Sequence, residues 1–372
     1  MQLKNKIIEN NGIKKSGIEI LRIIATFMIC MGHVNISIYC NVSENSSIYP
    51  YVCFVELACI YGVNIYGLIT GYVSISKQIK LKRFFRIWWE VIFYTIIGLI
   101  ISYLFFPELI SKELILQSLF PISTGTYWYV TAYIGVLLVS PILNTFINSL
   151  NCKMCKIILA ILMGIAVYSF FVRDIYGFGW GYNSNWLIYL YCVGALLKKI
   201  ENVQFDIHSF NSIRIKWGCG LIYGLSVICN WIMKIKYANE KYYVNDRIQR
   251  YDNTFILIGS VCLFLLFTKV NINNKLAYKL ITFFSSTCFG IYIIQVYPVY
   301  WSQIISKRYI YLLDVGRVKY VFYLLLYSTT MFIFLAFIDK IRQVIFTYCR
   351  VNELIDKVSK KLIIKFKNIR HT

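Results

Sequence analysis

Charge is scarce in this chain. Only 15% of its 372 residues are Asp, Glu, Lys or Arg, whereas 58% are apolar and 17% aromatic. An average soluble domain has about 25% charged residues, so this balance excludes an ordinary soluble fold. Proline is also rare, with five residues, and no Gly- or Pro-rich linker separates the apolar segments. The composition therefore indicates a membrane protein without a separate soluble domain.

Apolar segments recur along the whole sequence, and each approaches the length of about 20 residues that a helix needs to cross a bilayer. We expect an all-α, polytopic membrane protein with about ten transmembrane helices in one bundle. The first segment carries an arginine and lacks a small-x-small cleavage site, so it is interpreted as a retained helix and not as a signal peptide. The predicted spans are 18–39, 50–73, 87–106, 126–147, 156–172, 185–197, 217–233, 254–268, 281–301 and 320–339.

The net charge of +22 is distributed as in a membrane protein and not as in a nucleic-acid-binding protein. If the N-terminus is cytoplasmic, 27 of the 39 Lys and Arg residues fall on the cytoplasmic side, which is the positive-inside pattern. Both termini are therefore predicted to be cytoplasmic. We divide the chain into a basic N-terminus (1–17), a transmembrane domain (18–340) and a basic tail (341–372) whose alternating apolar and basic residues are typical of a segment on anionic lipid.

Histidine is rarer still, with three residues in the whole chain. His208 and His371 lie in polar segments, whereas His33 lies inside the first apolar segment. The chain has twelve cysteines, mostly in apolar segments, and the spaced pair Cys152 and Cys155 has no further ligands nearby. We therefore predict no metal site.

Arg22 lies near the start of the same apolar segment, eleven residues before His33. Eleven helical steps exceed three full turns by about 20°, so both side chains project from nearly the same helix face, about 16 Å apart along the axis. A charge inside a membrane costs several kcal/mol unless it faces a partner or a wet cavity. The two residues therefore indicate a polar path through the bilayer.

His33 has two interpretations at this point. Its near-neutral reference pKa suits a general base, and it equally suits a hydrogen-bonded histidine that holds helices together. Glu56 should lie at a similar depth on the returning helix, where it would orient the imidazole or simply be a buried acid. Glu19 precedes Arg22 by three residues and can pair with it on one helix face.

A basic cluster follows where the second helix returns to the cytoplasm: Lys80, Lys82, Arg83 and Arg86. It serves membrane topology, or it binds phosphate groups at the level of Arg22. In the second case Arg22, Arg83 and Arg86 would hold the phosphate-rich head of coenzyme A, and its thin arm would deliver an acyl group to His33.

Several motifs resemble the membrane acyltransferase-3 family, bacterial O-acyltransferases that modify surface polysaccharides. The family begins with an acidic residue, two intervening residues, an Arg, ten intervening residues and a His, as in Glu19, Arg22 and His33. Further matches, in order, are GVNIYGLITGY (62–72), Arg83 and Arg86, YWYVTAYIGVLLVSPIL with Trp128, Tyr133 and Pro141, LIYLYCVGALL with Gly194, and SSTCFGIYIIQ with Tyr292.

The resemblance implies transfer of an acyl group, most often acetyl, from cytoplasmic acetyl-coenzyme A to a sugar hydroxyl at the outer face of a bacterial plasma membrane. The acceptor would be a surface polysaccharide or an undecaprenyl-linked glycan. His33 would be catalytic with Glu56, and Arg22, Arg83 and Arg86 would bind the donor. The substrate-binding positions would be Asn64, Thr70, Trp128 and Tyr292.

The sequence departs from the family pattern at three positions. Asn64 and Thr70 replace the usual Asp and Ser and keep hydrogen-bonding capacity. Gln295 stands where the family often has His, and an amide cannot act as an acid or a base.

A polysaccharide polymerase or a glycan exporter is the alternative function. The predicted outer connection 234–253 carries Lys241, Arg247 and Arg250 among tyrosines, a composition that suits an anionic sugar chain. The same connection would equally serve as the acceptor surface of an acyltransferase. A pure transporter would be expected to show internal repeats and broken helices, and we find no such pattern in the sequence.

Overall fold

A computed structural model describes residues 16–76, 81–204, 213–238 and 247–369. Within these ranges the chain is helical and contains no strand, so the predicted all-α polytopic fold is confirmed. Lys80, His208, Lys241 and His371, which figure in the sequence predictions, lie outside the described residues. The main helices are α1 Ser16–Tyr39, α2 Tyr49–Cys59, α3 Tyr61–Ser74, α4 Leu81–Phe105, α5 Lys112–Leu119, α6 Trp128–Ser149, α7 Cys152–Phe171, α8 Ser184–Gln204, α9 Ile213–Lys236, α10 Thr254–Thr268, α11 Lys275–Ser285, α12 Cys288–Gln295, α13 Arg317–Tyr348 and α14 Val351–Ile369.

Eight helical segments of the described chain are long and apolar enough to cross a membrane. Two further predicted spans, 185–197 and 254–268, are also helical, as parts of α8 and as α10, but do not meet both criteria. α10 has only 15 residues, and α8 ends in the charged residues Lys198, Lys199 and Glu201. The eight segments are Ser16–Tyr39, Tyr49–Ser74, Lys82–Phe105, Trp128–Ser149, Cys152–Phe171, Ile215–Lys236, Lys275–Gln295 and Arg317–Tyr348.

The predicted continuous helix 281–301 is wrong in detail. α11 and α12 together form one span from Lys275 to Gln295, interrupted at residues 286–287. After Gln295 the chain leaves the helix, and Tyr297 is extended, with φ −61° and ψ 131°. The cause is Pro298, because a proline ring disfavours the helical conformation of the residue before it. A short helix, Pro298–Tyr300, and one π-helical turn, Trp301–Ile305, follow.

Glycine permits a very close approach of α3 and α8 at the centre of the bundle. A Cβ added to Gly71 would lie 1.9 Å from the backbone oxygen of Tyr191. One added to Gly194 would lie 2.1 Å from the backbone oxygen of Leu68. Small residues at a membrane helix interface allow such backbone contact. Close packing of this kind drives helix association in lipid, where the hydrophobic effect that acts in water is absent.

Successive connections between the helices lie in turn at two opposite ends of the bundle. At one end, Asn148 Nδ2 donates to the backbone oxygen of Ile75 over 3.1 Å. At the other, Trp231 Nε1 donates to the backbone oxygen of Pro50 over 2.7 Å. We call these ends the Arg83 face and the Tyr39 face, after residues located there. Which face is cytoplasmic stays a prediction from the charge distribution.

The C-terminal helix α14 packs at the Arg83 face. Its Asp356 accepts a hydrogen bond of 2.5 Å from Lys82 at the start of α4. This hydrogen bond lowers the pKa of Asp356 below its ordinary value. Beyond residue 340 the chain completes α13 and then forms α14, which contacts α4 through Asp356 and Lys82.

Candidate active site

His33 is held by a buried amide from a distant part of the sequence. Its Nδ1 lies 2.8 Å from Oε1 of Gln295, which is fully buried at the end of α12. The other end of that amide, Nε2, donates to Cys30 Sγ over 2.7 Å. Since the amide nitrogen faces the thiol, the amide oxygen faces the imidazole and accepts a hydrogen bond from Nδ1–H. The Nε2 atom of His33 then carries the lone pair that a general base needs.

Glu56 is not the hydrogen-bond partner of His33 that the sequence suggested. Its Oε2 accepts from Asn35 Nδ2 over 2.9 Å, and Asn35 Oδ1 accepts from the hydroxyl of Tyr320 over 2.5 Å. The orienting role falls to Gln295, because α12 packs against α1 at the level of the imidazole. Glu56 nevertheless lines the same cavity as His33, as expected from its depth in the membrane.

Two adjoining cavities meet at His33. The larger, of about 500 Å³, is lined by His33, Glu56 and residues near the Tyr39 face, among them Tyr182. The smaller, of about 90 Å³, extends from His33 toward Thr26 and the Arg83 face. Six residues line both cavities: Ile29, His33, Val63, Trp128, Tyr251 and Tyr292. Among these six residues, His33 is the one whose side chain has a basic nitrogen.

Arg22 lies beyond the far end of the smaller cavity. Its guanidinium donates to Glu19 over 2.8 Å, the pair expected from their spacing. The hydroxyls of Thr26 and Tyr66 are 2.5 Å apart, and both donate to the backbone oxygen of Arg22. One helical turn therefore separates the ion pair from the cavity that leads to His33.

Arg83 joins Arg22 at this end of the site. It donates to Ser74 Oγ over 3.1 Å and to the hydroxyl of Tyr133, and its guanidinium also lies 5.5 Å from the centre of that ring. The Tyr133 hydroxyl interacts electrostatically with both arginines. Two cations from different helices therefore converge on one phenol, whose ring stacks on that of Tyr129 at 6.3 Å.

The structure separates Arg86 from this pair. Its side chain is exposed and lines a different pocket, together with Glu90 and Arg342. Residues three apart on a helix differ in direction by about 60°, and here that difference divides Arg83 and Arg86 between two sites. No described pocket contains both Arg86 and Arg22, and a role of Arg86 in donor binding stays a prediction from the sequence.

Asn64 supports the site without lining it. It is fully buried, its Nδ2 donates to the backbone oxygen of Tyr251 over 2.8 Å, and its Oδ1 accepts from Trp186 Nε1 over 2.9 Å. Both ends of the amide therefore hold protein groups. Asn64 lines neither of the two described cavities and positions the backbone of Tyr251, so its role as a substrate contact stays a prediction from the sequence.

Thr70 likewise lies away from both described cavities. Its hydroxyl donates to the backbone oxygen of Tyr66 over 2.8 Å and is close to the hydroxyl of Tyr133. Trp128 and Tyr292, by contrast, each line both cavities, and their role as substrate contacts stays a prediction.

Sequence reasoning did not identify several residues of the site. Tyr182 lines the large cavity, and Trp301 packs edge-on against His33 with ring centroids 5.0 Å apart. Tyr251, which also lines the large cavity, was expected only as one of the tyrosines of the outer connection 234–253. Tyr and Trp are so common in this chain that no spacing distinguished them. For Gln295 a signal existed, since it occupies the position at which the resembling family often has His.

A buried histidine at the junction of two cavities, inside a bundle of apolar helices, is an arrangement that suits chemistry within a membrane. The model of the acyltransferase-3 family, described as an acyltransferase domain, matches residues 15–340. The chain belongs to this family and is a membrane acyltransferase. Neither the curated proteins nor the solved structures contain a significant match to it.

Proposed function

We propose that the protein transfers an acyl group, most often acetyl, from cytoplasmic acetyl-coenzyme A to a hydroxyl of a cell-surface or capsular polysaccharide or of its lipid-linked precursor. The acyl group transferred is not an amino-acyl group, and the membrane is the bacterial plasma membrane. The observation that carries the proposal is the position of His33, with a free Nε2 where a narrow cavity from one face meets a wide cavity from the other.

Arg22 and Arg83 support a donor site at the Arg83 face. Guanidinium groups bind phosphate oxygens through paired, charge-assisted hydrogen bonds. The phosphates of coenzyme A would bind to them, and its arm would extend along the smaller cavity past Thr26 and Tyr66. Arg22 and His33 are separated by about 16 Å along α1, a distance that the extended arm would span.

The reaction would proceed by direct transfer. Nε2 of His33 takes the proton of the acceptor hydroxyl as its oxygen attacks the thioester carbonyl. The tetrahedral intermediate then breaks its carbon–sulfur bond, and the imidazolium returns the proton to the leaving thiolate. Gln295 would accept a hydrogen bond from Nδ1–H, so the neutral imidazole would present the lone pair of Nε2 to the cavity before each transfer.

Aromatic rings around the large cavity support a sugar acceptor. Trp128 and Tyr182 have ring centroids 4.7 Å apart, and Tyr182 and Tyr251 have centroids 4.8 Å apart. Aromatic faces carry partial negative charge and attract the polarised C–H groups of a sugar ring, while phenol hydroxyls bind its oxygens. The polar side chains of Glu56 and Gln249 lie in the same cavity.

The proposed orientation of the protein in the membrane follows from its charge distribution. The Arg83 face would be cytoplasmic because most of the Lys and Arg residues belong to its connections and to the termini. Acetyl-coenzyme A is a cytoplasmic metabolite and would then reach Arg22 and Arg83 directly. The large cavity would open toward the outer face, where a surface glycan is assembled.

Proton NMR of the surface glycan from cells with and without the gene tests this function. We expect a base-labile O-acyl signal to disappear on deletion, return with the wild-type gene and stay absent with His33→Ala. His371→Ala, which removes a histidine near the C-terminus, is the matched control and should restore the signal. Unchanged acylation with shortened glycan chains would overturn the proposal in favour of a polymerase.

A further inference from the structure

An apolar groove runs along the outside of the bundle between α4 and α13. It has a volume of about 460 Å³ and is lined on the α4 side by Ile97 and Ile101 and on the α13 side by Phe334 and Ile341. These side chains are 37–62% exposed, so the groove opens to the surrounding bilayer. Its floor is Tyr297, whose ring approaches the backbone of Gly98 so closely that an added Cβ would lie 2.8 Å from it.

A polar pocket of about 280 Å³ adjoins the groove at the Arg83 face. Arg342 lines both, and Arg86, Glu90, Thr347 and Asn352 line the pocket alone. Along α4, Arg86, Glu90, Tyr94, Ile97 and Ile101 are spaced by three or four residues and form one continuous stripe. Pocket and groove are therefore one site with a polar end and an apolar end.

The charges in the polar end leave one cation available. Arg342 is neutralised within the protein, since it pairs with Asp339 over 2.8 Å and with Glu90 over 3.0 Å. Lys82, one turn before Arg86, pairs with Asp356. Arg86 interacts electrostatically with Asp356 but forms no salt bridge with any residue that the structure describes. Its side chain is exposed at the entrance of the pocket.

The dimensions of the groove match a lipid chain of one leaflet. Its lining residues on α4 extend from Phe93 to Ser102, which corresponds to about 14 Å of helix. Half of a hydrocarbon core of about 30 Å is about 15 Å, the depth that the chains of one leaflet fill. The acyl chain of a lipid whose headgroup is at the Arg83 face would therefore lie along the α4 wall of the groove.

We propose that this composite site binds an anionic phospholipid from the leaflet at the Arg83 face, with its phosphate at Arg86 and an acyl chain between α4 and α13. The apolar groove selects a lipid over a soluble phosphate, and the unpaired guanidinium selects an anionic headgroup over a zwitterionic one. The site is separate from the catalytic cavities, and its occupancy does not depend on the proposed reaction.

Native mass spectrometry of the purified full-length protein tests the site, with dioleoyl phosphatidylglycerol and dioleoyl phosphatidylcholine offered in equal amounts. We expect wild type to retain the anionic lipid preferentially. Arg86→Gln should weaken its retention about fivefold, since one basic residue near a membrane surface contributes about 1 kcal/mol. Ile101→Trp, which fills the groove, should remove bound lipid of both kinds. Ile97→Trp fills the same groove one turn earlier and replaces it if Ile101→Trp does not fold.

Two matched controls lie elsewhere on the described surface. Lys275→Gln removes an exposed cation at the Arg83 face, and Ile161→Trp enlarges a residue of α7 that is 56% exposed outside the groove. Both should retain lipid like wild type. Equal retention of the two lipids by wild type, unchanged retention by Arg86→Gln, or lipid loss in Ile161→Trp would overturn the proposal. Displacement of the lipid by glycerol 3-phosphate alone would also overturn it, because the site would then recognise phosphate without a chain.

Discussion

The Nδ1 atom of His33 lies 2.8 Å from Oε1 of Gln295, which is 262 positions later in the chain. A neutral amide therefore occupies the place that a carboxylate holds in many histidine-based active sites. The amide fixes the tautomer of the imidazole without adding a negative charge. An unpaired charge would be costly at a site buried in the membrane.

Replacing Gln295 with Leu should lower the rate of acyl transfer without preventing membrane insertion. The change removes a buried hydrogen bond that is worth about 1–3 kcal/mol, so kcat should fall by roughly 5- to 150-fold. The KM for the donor should change little. Gln117→Leu, in α5 and away from both cavities, is the control. Equal kcat values for the Gln295 variant and wild type would contradict the positioning role.

Arg22→Ala should raise the KM for acetyl-coenzyme A more than the KM for the acceptor, because the guanidinium lies at the donor end of the path. Arg22→Lys should recover part of the loss, since an ammonium provides charge but not the paired donors of a guanidinium. Initial rates at varied donor concentration provide the measurement. Arg86→Gln should leave the donor KM unchanged. A rise in its donor KM equal to that of Arg22→Ala would show that Arg86 also binds the donor.

Tyr251→Ala should raise the KM for the sugar acceptor more than the KM for the donor, because the ring lines both cavities but belongs to the aromatic cluster of the large one. The ring stacks with that of Trp128, with centroids 5.9 Å apart, and belongs to the wall of the large cavity. Loss of one aromatic contact of about 0.5–1.5 kcal/mol would weaken acceptor binding by roughly 2- to 12-fold. Tyr176→Ala removes an exposed tyrosine outside both cavities and should have no such effect. An acceptor KM that is the same in both variants would exclude Tyr251 as a sugar contact.

Gly194→Ala should destabilise the bundle, because the added methyl group would lie 2.1 Å from the backbone oxygen of Leu68. The helices would have to separate, and overpacking of this kind costs about 1–3 kcal/mol. Gly218→Ala is a matched control on α9, where an added Cβ meets no atom within 4 Å. It should raise stability slightly through better helix propensity. Thermal unfolding in detergent measures both, and equal Tm values would refute the close-packing argument.

Docking of α14 should weaken at acidic pH. The hydrogen bond from Lys82 lowers the pKa of Asp356 below its ordinary value of 3.8. Its contribution is therefore complete above pH 3.8 and is lost as the pH falls through the lowered value. Hydrogen exchange of residues 351–369 should accelerate in that acidic range and, in Asp356→Asn, at neutral pH as well. Protection in Asp356→Asn that equals wild type at neutral pH would show that the apolar face of α14 holds it unaided.

Local periodicity was enough to predict much of this protein. Apolar segment lengths located its helices, and the 3.6-residue repeat placed Arg22 and His33 on one face of α1. Both features depend only on residues within a single helix. The ordered motifs around Glu19, Arg22 and His33 also led to the family that the comparison confirms.

Tertiary packing decided the partners of those residues. The sequence offered Glu56 to His33 and grouped Arg83 with Arg86. Packing of α12 against α1 instead brings Gln295 to the imidazole, and Arg83 contacts Tyr133 whereas Arg86 lines a pocket with Arg342. The physical reason is that hydropathy specifies which residues enter the membrane but not how each helix is rotated about its axis. That rotation is determined by close contacts such as Gly194 against Leu68, which involve residues far apart in the chain.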